Sequence, residues 1–183
     1  MSVRVIAGTA KGHKLDVPRG LTVRPTPDRA KEALFNIIGG RIVDSCFLDL
    51  YAGSGAIGIE ALSRGAHEVV FVEKRPNVAR IIERNLVRTG FEEDARIVLA
   101  DAAQALEMMG RESRVFDLIF ADPPYNAKKA PGILQIIGRK EVLNENGLVV
   151  WEHASAVRIP ANIGKLVSVK EVRYGDTSFA FLA

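Results

Sequence analysis

The chain has 183 residues, 48% of them hydrophobic and 26% charged, enough for one domain with a full core and too few for two. Its one cysteine, Cys46, rules out an internal disulfide, its three histidines (His13, His67, His153) lack metal-ligand spacing, and no run reaches the ~18 apolar residues of a membrane span, so neither metal nor membrane is expected. The net charge is only +3, but residues 1–41 carry eight Lys/Arg against three acids, a local +5, and the remainder carries −2; a basic arm on a near-neutral body suits a polyanion such as nucleic acid, or is simply a solvated basic surface.

The first residues, MSVRVIAGTAKGHK, lack the apolar stretch of a signal peptide, which together with the solitary thiol fits a reducing cytoplasm. VRVIAG and HKLDV read as the arms of a β-hairpin turning at TAKG. In RPTPDRAKEALFNIIGGRI a helix is expected. Thr26 suits its N-cap and Pro27 its first position, Ala30, Ala33, Leu34, Ile37 and Ile38 share one face, and Gly39-Gly40 ends it. Residues 1–41 are thus expected to form a basic hairpin-and-helix extension, and residues 42–183 one compact domain. Arg4, Lys11 and Lys14 of the hairpin are candidates for phosphate contacts.

From Cys46 strands and helices alternate: CFLDLY, AIGIEALSRG, EVVFVE, PNVARIIERNLVRTG, ARIVLA, DAAQALEMMG, FDLIFADPPY and APGILQIIGR. A turn at NENG, a strand LVVWEH and two β-rich runs about YGDT complete the chain, the last pair as an antiparallel hairpin. Apolar strands alternating with helices predict an α/β fold with a mostly parallel sheet covered on both faces. Ligands of such sheets bind beyond the carboxyl ends of the strands. Asp49, Gly53, Glu73, Asp101 and Asp122 all fall at or just after predicted strand ends, so they should gather along one edge.

Gly53-Ser54-Gly55-Ala56-Ile57-Gly58 is a literal G-x-G-x-x-G, the signature of a dinucleotide loop, and Glu73 stands near the distance of a ribose-binding carboxylate. Gly53 and Gly55 permit a tight strand-to-helix turn, and the helix N-terminus suits either a pyrophosphate or the carboxylate of S-adenosylmethionine. Asp49 separates the two. At ~4 Å and an effective dielectric near 20, a carboxylate and a unit charge interact by roughly 4 kcal/mol, repelling pyrophosphate and attracting the ammonium and sulfonium of S-adenosylmethionine. The alternative is an Asp49 that only stabilises the turn. Asp101 and Gln104 form a capping box, and Asp101 could also receive the amine of adenine. In Asp122-Pro123-Pro124-Tyr125 the prolines fix the backbone. Asp122 and the Pro123 carbonyl can then each accept one N–H of a planar exocyclic amine while Tyr125 stacks on its ring.

DLYAGSGAIG with DPPY resembles the S-adenosylmethionine-dependent amino-methyltransferases. Together with RPTPDRAKEALFNII and LDLYAGSGAIGIEALSRGA, most of the chain is similar to the RsmD family. The resemblance implies a Rossmann-like class I methyltransferase fold and methylation of a guanine N2 amine in 16S ribosomal RNA. It also implies S-adenosylmethionine as cofactor and ribosomal RNA or the small subunit particle as partner, with a monomer as the default state. By that resemblance Asp49, Gly53 and Gly55 hold the methionine part of the cofactor, Glu73 the ribose, and Asp101 with the Ala102 backbone the adenine. Asp122, Pro123 and Tyr125 hold the target base. Arg24, Thr26 and Arg29 match the family's N-terminal signature, contacting RNA phosphate or ordering the cofactor edge. Tyr51 stands where phenylalanine is commoner in the family. The rival readings are an adenine-N6 or other amino-methyltransferase, an NAD-dependent dehydrogenase and a non-catalytic RNA-binding module.

Overall fold

The computed structural model describes residues 3–18, 28–123 and 130–183. Thr26, Pro27, Arg24 and Tyr125 lie outside the described residues. The hairpin pairs β1 (Val3–Arg4) with β2 (Lys14–Leu15), and helix α1 spans Asp28–Ile38 before a 3-10 turn at Gly39–Ile42. Then follow β3 (Cys46–Asp49), α2 (Ala56–Ser63), β4 (Glu68–Glu73), α3 (Pro76–Thr89) and β5 (Ala95–Leu99). The second half runs α4 (Ala102–Arg111), β6 (Phe116–Ala121), α5 (Ala130–Lys140), β7 (Leu143–Ala154), β8 (Asn162–Ile163), β9 (Leu166–Tyr174) and β10 (Thr177–Leu182).

Strands β3 to β10 form one sheet in the order β5-β4-β3-β6-β7-β10-β9-β8. The first five of these run parallel; β10 returns antiparallel between β7 and β9, as the two β-rich runs about YGDT predict. Successive strand residues point to opposite faces, and both faces are apolar. Phe47, Val69, Phe71, Leu118 and Phe120 enter a core with α1, α2, α3 and the hairpin, whereas Leu48, Val70, Val72 and Ile119 enter a second core with α4 and α5.

Two expectations need correction. NENG is not a turn between elements: β7 begins at Leu143, opposite Phe116, and resumes register at Leu148 opposite Leu118. The extra residues are held as an irregularity in the strand, where Asn144 Nδ2 donates to Asp117 Oδ1 at 2.5 Å. The buried residues of α1 are Ala30, Lys31, Leu34, Phe35 and Ile38: Lys31 and Phe35 join the expected face, while Ala33 and Ile37 are only half-buried, Ile37 packed against the core.

Lys31 is buried because its partner is. Glu60 of α2, itself fully buried, lies 3.1 Å from Lys31 Nζ and 2.8 Å from Arg64 Nε. The same carboxylate accepts the backbone N–H groups of Ile6 (2.8 Å) and Ala7 (3.0 Å), and Lys31 also donates to the Arg4 carbonyl at 2.6 Å. Ser63, one turn on, donates to the Ala7 carbonyl (2.6 Å) and accepts from the Ala10 N–H (3.0 Å). Helix α2 therefore holds the hairpin by polar bonds at a partly buried interface. Replacing Glu60 by alanine should cost about 3–5 kcal/mol in denaturant unfolding, since a buried ammonium loses its partner. The paired change Lys31→Met with Glu60→Leu should not restore that loss, because the Ile6 and Ala7 N–H groups remain unpaired.

Candidate functional site

Strand order reverses at β3: the chain proceeds outward to β4 and β5, then returns to lay β6 on the other flank of β3. At such a switch point the loops leaving two neighbouring strands part and leave a crevice. Here the Leu50 N–H bonds to Phe120 of β6 at 2.9 Å, whereas the Ala52 N–H bonds to Val72 of β4 at 3.0 Å. The glycine loop begins at that fork.

Gly53 and Gly55 both take left-handed conformations, with φ of 55° and 78°, and Gly55 is the N-cap of α2. A Cβ on Gly53 would meet only the Tyr51 carbonyl at 3.9 Å, so the loop is open on that side. Gly58, the third glycine, serves packing. A Cβ there would fall 2.2 Å from Phe71 Cε1 and 2.8 Å from Val69 Cγ1, so its absence lets α2 lie directly on β4.

Asp49 ends β3 and is buried, its Oδ2 accepting the Gly58 N–H at 3.1 Å. Burial, with the nearby charges of Asp122 and Glu73, pushes its carboxyl from 3.8 up to about 7 against the opposing pull of that N–H. Asp122 follows β6, and burial raises it to about 6. Glu73 ends β4, also buried. Its Oε1 accepts the backbone N–H and the Nε of Arg75, each at 3.0 Å, and its Oε2 accepts Arg75 Nη2 at 3.3 Å. A carboxylate offers about four acceptor positions, so Oε2 retains capacity for a ribose hydroxyl. Three acids, one of them balanced by Arg75, thus converge on an open glycine turn at a helix N-terminus. That donor set fits a ligand that carries both cationic groups and a carboxylate, as S-adenosylmethionine does, better than a pyrophosphate.

A family model described as conserved hypothetical protein 95 matches residues 3–183, almost the whole chain. The chain belongs to this family. It is the RsmD family to which the sequence motifs point. A Bacillus subtilis relative, YlbH, is 38% identical over 178 residues, 97% of each chain. Ribosomal RNA small subunit methyltransferase D of Haemophilus influenzae is 35% identical over 150 residues, 82% of this chain and 78% of that one. The solved structure of Escherichia coli yhhF superposes with a TM-score of 0.87 at 31% identity, covering 100% of this chain and 97% of that one. SMU.776, solved in complex with SAH, superposes with a TM-score of 0.73 over 93% of this chain and 53% of its own; at 15% identity that likeness is one of fold. The Rossmann-like class I methyltransferase fold expected from the motifs is the fold of this RsmD-family chain.

The remaining candidates divide. Asp101 is exposed at the N-cap of α4, its Oδ1 accepting the Gln104 N–H at 3.0 Å, and Ala102 beside it is buried. Pro123 is half-buried next to Asp122. Lys11, Lys14 and Arg29 are exposed, and Arg4 is exposed but paired with Asp28 at 3.3 Å. Sequence reasoning missed Arg75, whose position just after Glu73 and before Pro76 is the only signal for it. Tyr51 is half-buried, and burial with the Asp101 charge pushes its hydroxyl to about 12, so it remains a neutral donor on the rim.

Asp49 titrates higher in the folded chain than its ordinary 3.8. The stability it contributes is therefore fully present below about pH 3.8 and is lost as pH rises through about 7. Asn at this position cannot ionise and still offers an oxygen to the Gly58 N–H. Asp49→Asn should therefore stabilise the ligand-free protein by about 1–3 kcal/mol at pH 8, and by less at pH 5, in thermal denaturation. The same variant should lose most of the stabilisation that SAH confers on the parent.

Proposed function

We propose that this RsmD-family enzyme transfers a methyl group from S-adenosylmethionine to the exocyclic N2 amine of a guanine in small-subunit ribosomal RNA. The observation that carries the reading is the placement of two aspartates, Asp49 at the end of β3 and Asp122 just after β6, on either side of the switch point. One stands at the glycine turn and the other opens the D-P-P-Y segment. The cofactor supplies a sulfonium-activated methyl when bound and leaves as S-adenosylhomocysteine.

Asp49, Gly53 and Gly55 hold the methionine end of the cofactor, Glu73 holds the ribose, and Asp101 with the Ala102 N–H meets the adenine. Asp122 and the Pro123 carbonyl each accept one N–H of the guanine amine, and Tyr125 stacks on the base. Those two hydrogen bonds hold the nitrogen lone pair out of conjugation with the ring and aim it at the methyl carbon. Asp122 would take up the proton that the amine gives up on methylation, or pass it to water. Positioning and electrostatics carry most of the acceleration. The base must leave its stack to reach this edge, at a few kcal/mol, which phosphate contacts offset. Lys11, Lys14, Arg4, Arg24 and Arg29 are the candidate cations for them. The reading sets the enzyme in the cytoplasm, acting as a monomer on the RNA or its particle.

The direct test offers methyl-labelled S-adenosylmethionine with unmodified small subunits and with free rRNA, followed by nucleoside mass spectrometry. Label in N2-methylguanosine is expected. Label in another nucleoside overturns the target, and no label while SAH still binds overturns the acceptor class. Asp122→Ala should lower methyl transfer roughly a thousandfold with SAH affinity held within about threefold. Combined Lys11→Ala and Lys14→Ala should reduce the salt slope of RNA binding by about 0.7 for each phosphate no longer neutralised. An unchanged slope moves the RNA surface away from the hairpin.

A further inference from the structure

Helix α3 turns one face to the glycine loop and presents two residues of different kinds there. Ile82 is an apolar wall, with its Cγ2 3.2 Å from where a Gly55 Cβ would stand. Asn85, three residues later on the same face, is fully buried. Its Nδ2 donates to the Ser54 carbonyl at 2.8 Å and to the Asp16 carbonyl at 3.0 Å, and its Oδ1 accepts the Asp16 backbone N–H at 2.8 Å. Asparagine is a poor helix-interior residue, and burying its amide is unfavourable unless both ends are bonded. Both ends are bonded here, to segments far apart in sequence. Ser54 is the middle residue of the glycine turn, flanked by the two left-handed glycines, so its carbonyl is held from outside the turn. Asp16 is the residue that follows β2, and its side chain is in turn held by Arg88 at 2.9 Å and Arg84 at 3.5 Å from the same helix.

We propose that Asn85 is a positioning residue for cofactor binding. It fixes the direction of the Gly53-Ser54-Gly55 turn and ties that turn to the exit of the basic hairpin. A cofactor that orders the turn thereby also orders Asp16, at the start of the segment that leads to Arg24. The inference rests on the methyl-transfer reading above.

Two measurements test it, both with SAH as the probe. In the unaltered protein, saturating SAH should slow hydrogen exchange of the Asp16 amide by roughly threefold or more, as the bond to Asn85 opens less often. An Asp16 amide that exchanges at the same rate with and without SAH overturns the link. In the second, Asn85→Ala should raise the Kd for SAH roughly tenfold at a temperature where the variant is folded, the scale of a lost hydrogen bond to a buried group. Its KM for S-adenosylmethionine should rise in parallel, with kcat at saturating cofactor within about threefold of the parent. Leu182→Ala, a buried truncation on β10 three strands from β3, is the control. It should lose stability yet bind SAH normally. Equal weakening of SAH binding in both variants would make Asn85 merely structural and overturn the proposal. Failure of the parent protein to bind SAH overturns the methyl-transfer reading and this inference with it. Normal SAH binding by both the parent and Asn85→Ala overturns the inference alone.

Discussion

The functional edge depends on how closely α2 approaches β4. Gly58 makes that approach possible, and three consequences follow from one missing side chain. The Gly58 N–H comes within reach of Asp49, so the carboxylate at the end of β3 bonds to the helix that begins past the glycine turn. The first turn of α2 is set directly beyond the switch point, with Gly55 as its N-cap. The far side of α2 is placed to offer Glu60 and Ser63 to the hairpin. A helix displaced outward by a methyl group would disturb all three together.

Two buried acids in and beside this edge are treated in opposite ways. Glu60 is saturated: two backbone N–H groups, Lys31 and Arg64 surround its two oxygens. Nothing further can bind there, and its work is to dock the hairpin. Asp49 is as deeply buried, yet among the described residues its partners are the backbone N–H groups of Gly58 and Tyr51, with two other acids nearby. Its ionised form is therefore unfavourable until a cation arrives. Positive charge placed beside it would relieve that repulsion. Glu73 is intermediate, with Arg75 making three hydrogen bonds to it and room left for a neutral hydroxyl.

Much of the architecture was legible because it rests on local signals. Alternating apolar strands and helices, the capping aspartate at 101 and the glycines ending helices are short-range features, and each lies where its chemistry requires. NENG misled because its turn-like composition is accommodated inside a strand by an Asn144–Asp117 bond, a partner 27 residues away. Lys31 misled for the same reason: a lysine on an amphipathic helix reads as solvent-facing until Glu60 is placed beside it. Asn85 had no signal at all in the sequence. A lone asparagine in a helix has no periodicity to betray it, and its partners lie 31 and 69 residues away.

The same distinction explains why G-x-G-x-x-G described the loop well and the ligand poorly. Two of its glycines shape a turn and the third brings a helix onto a strand; these are backbone and packing requirements, shared by any ligand that needs an anion-binding helix end above a parallel sheet. Ligand identity is set by charge around that common frame, and charge is supplied from strand ends distant in sequence. Asp49 and Glu73 end β3 and β4, and Asp122 follows β6, which joins them only by returning to the flank of β3. A motif confined to one loop cannot carry that information. Each acid acquires its meaning only at the end of its own strand, so that the fold, once inferred, becomes the means of identifying the ligand.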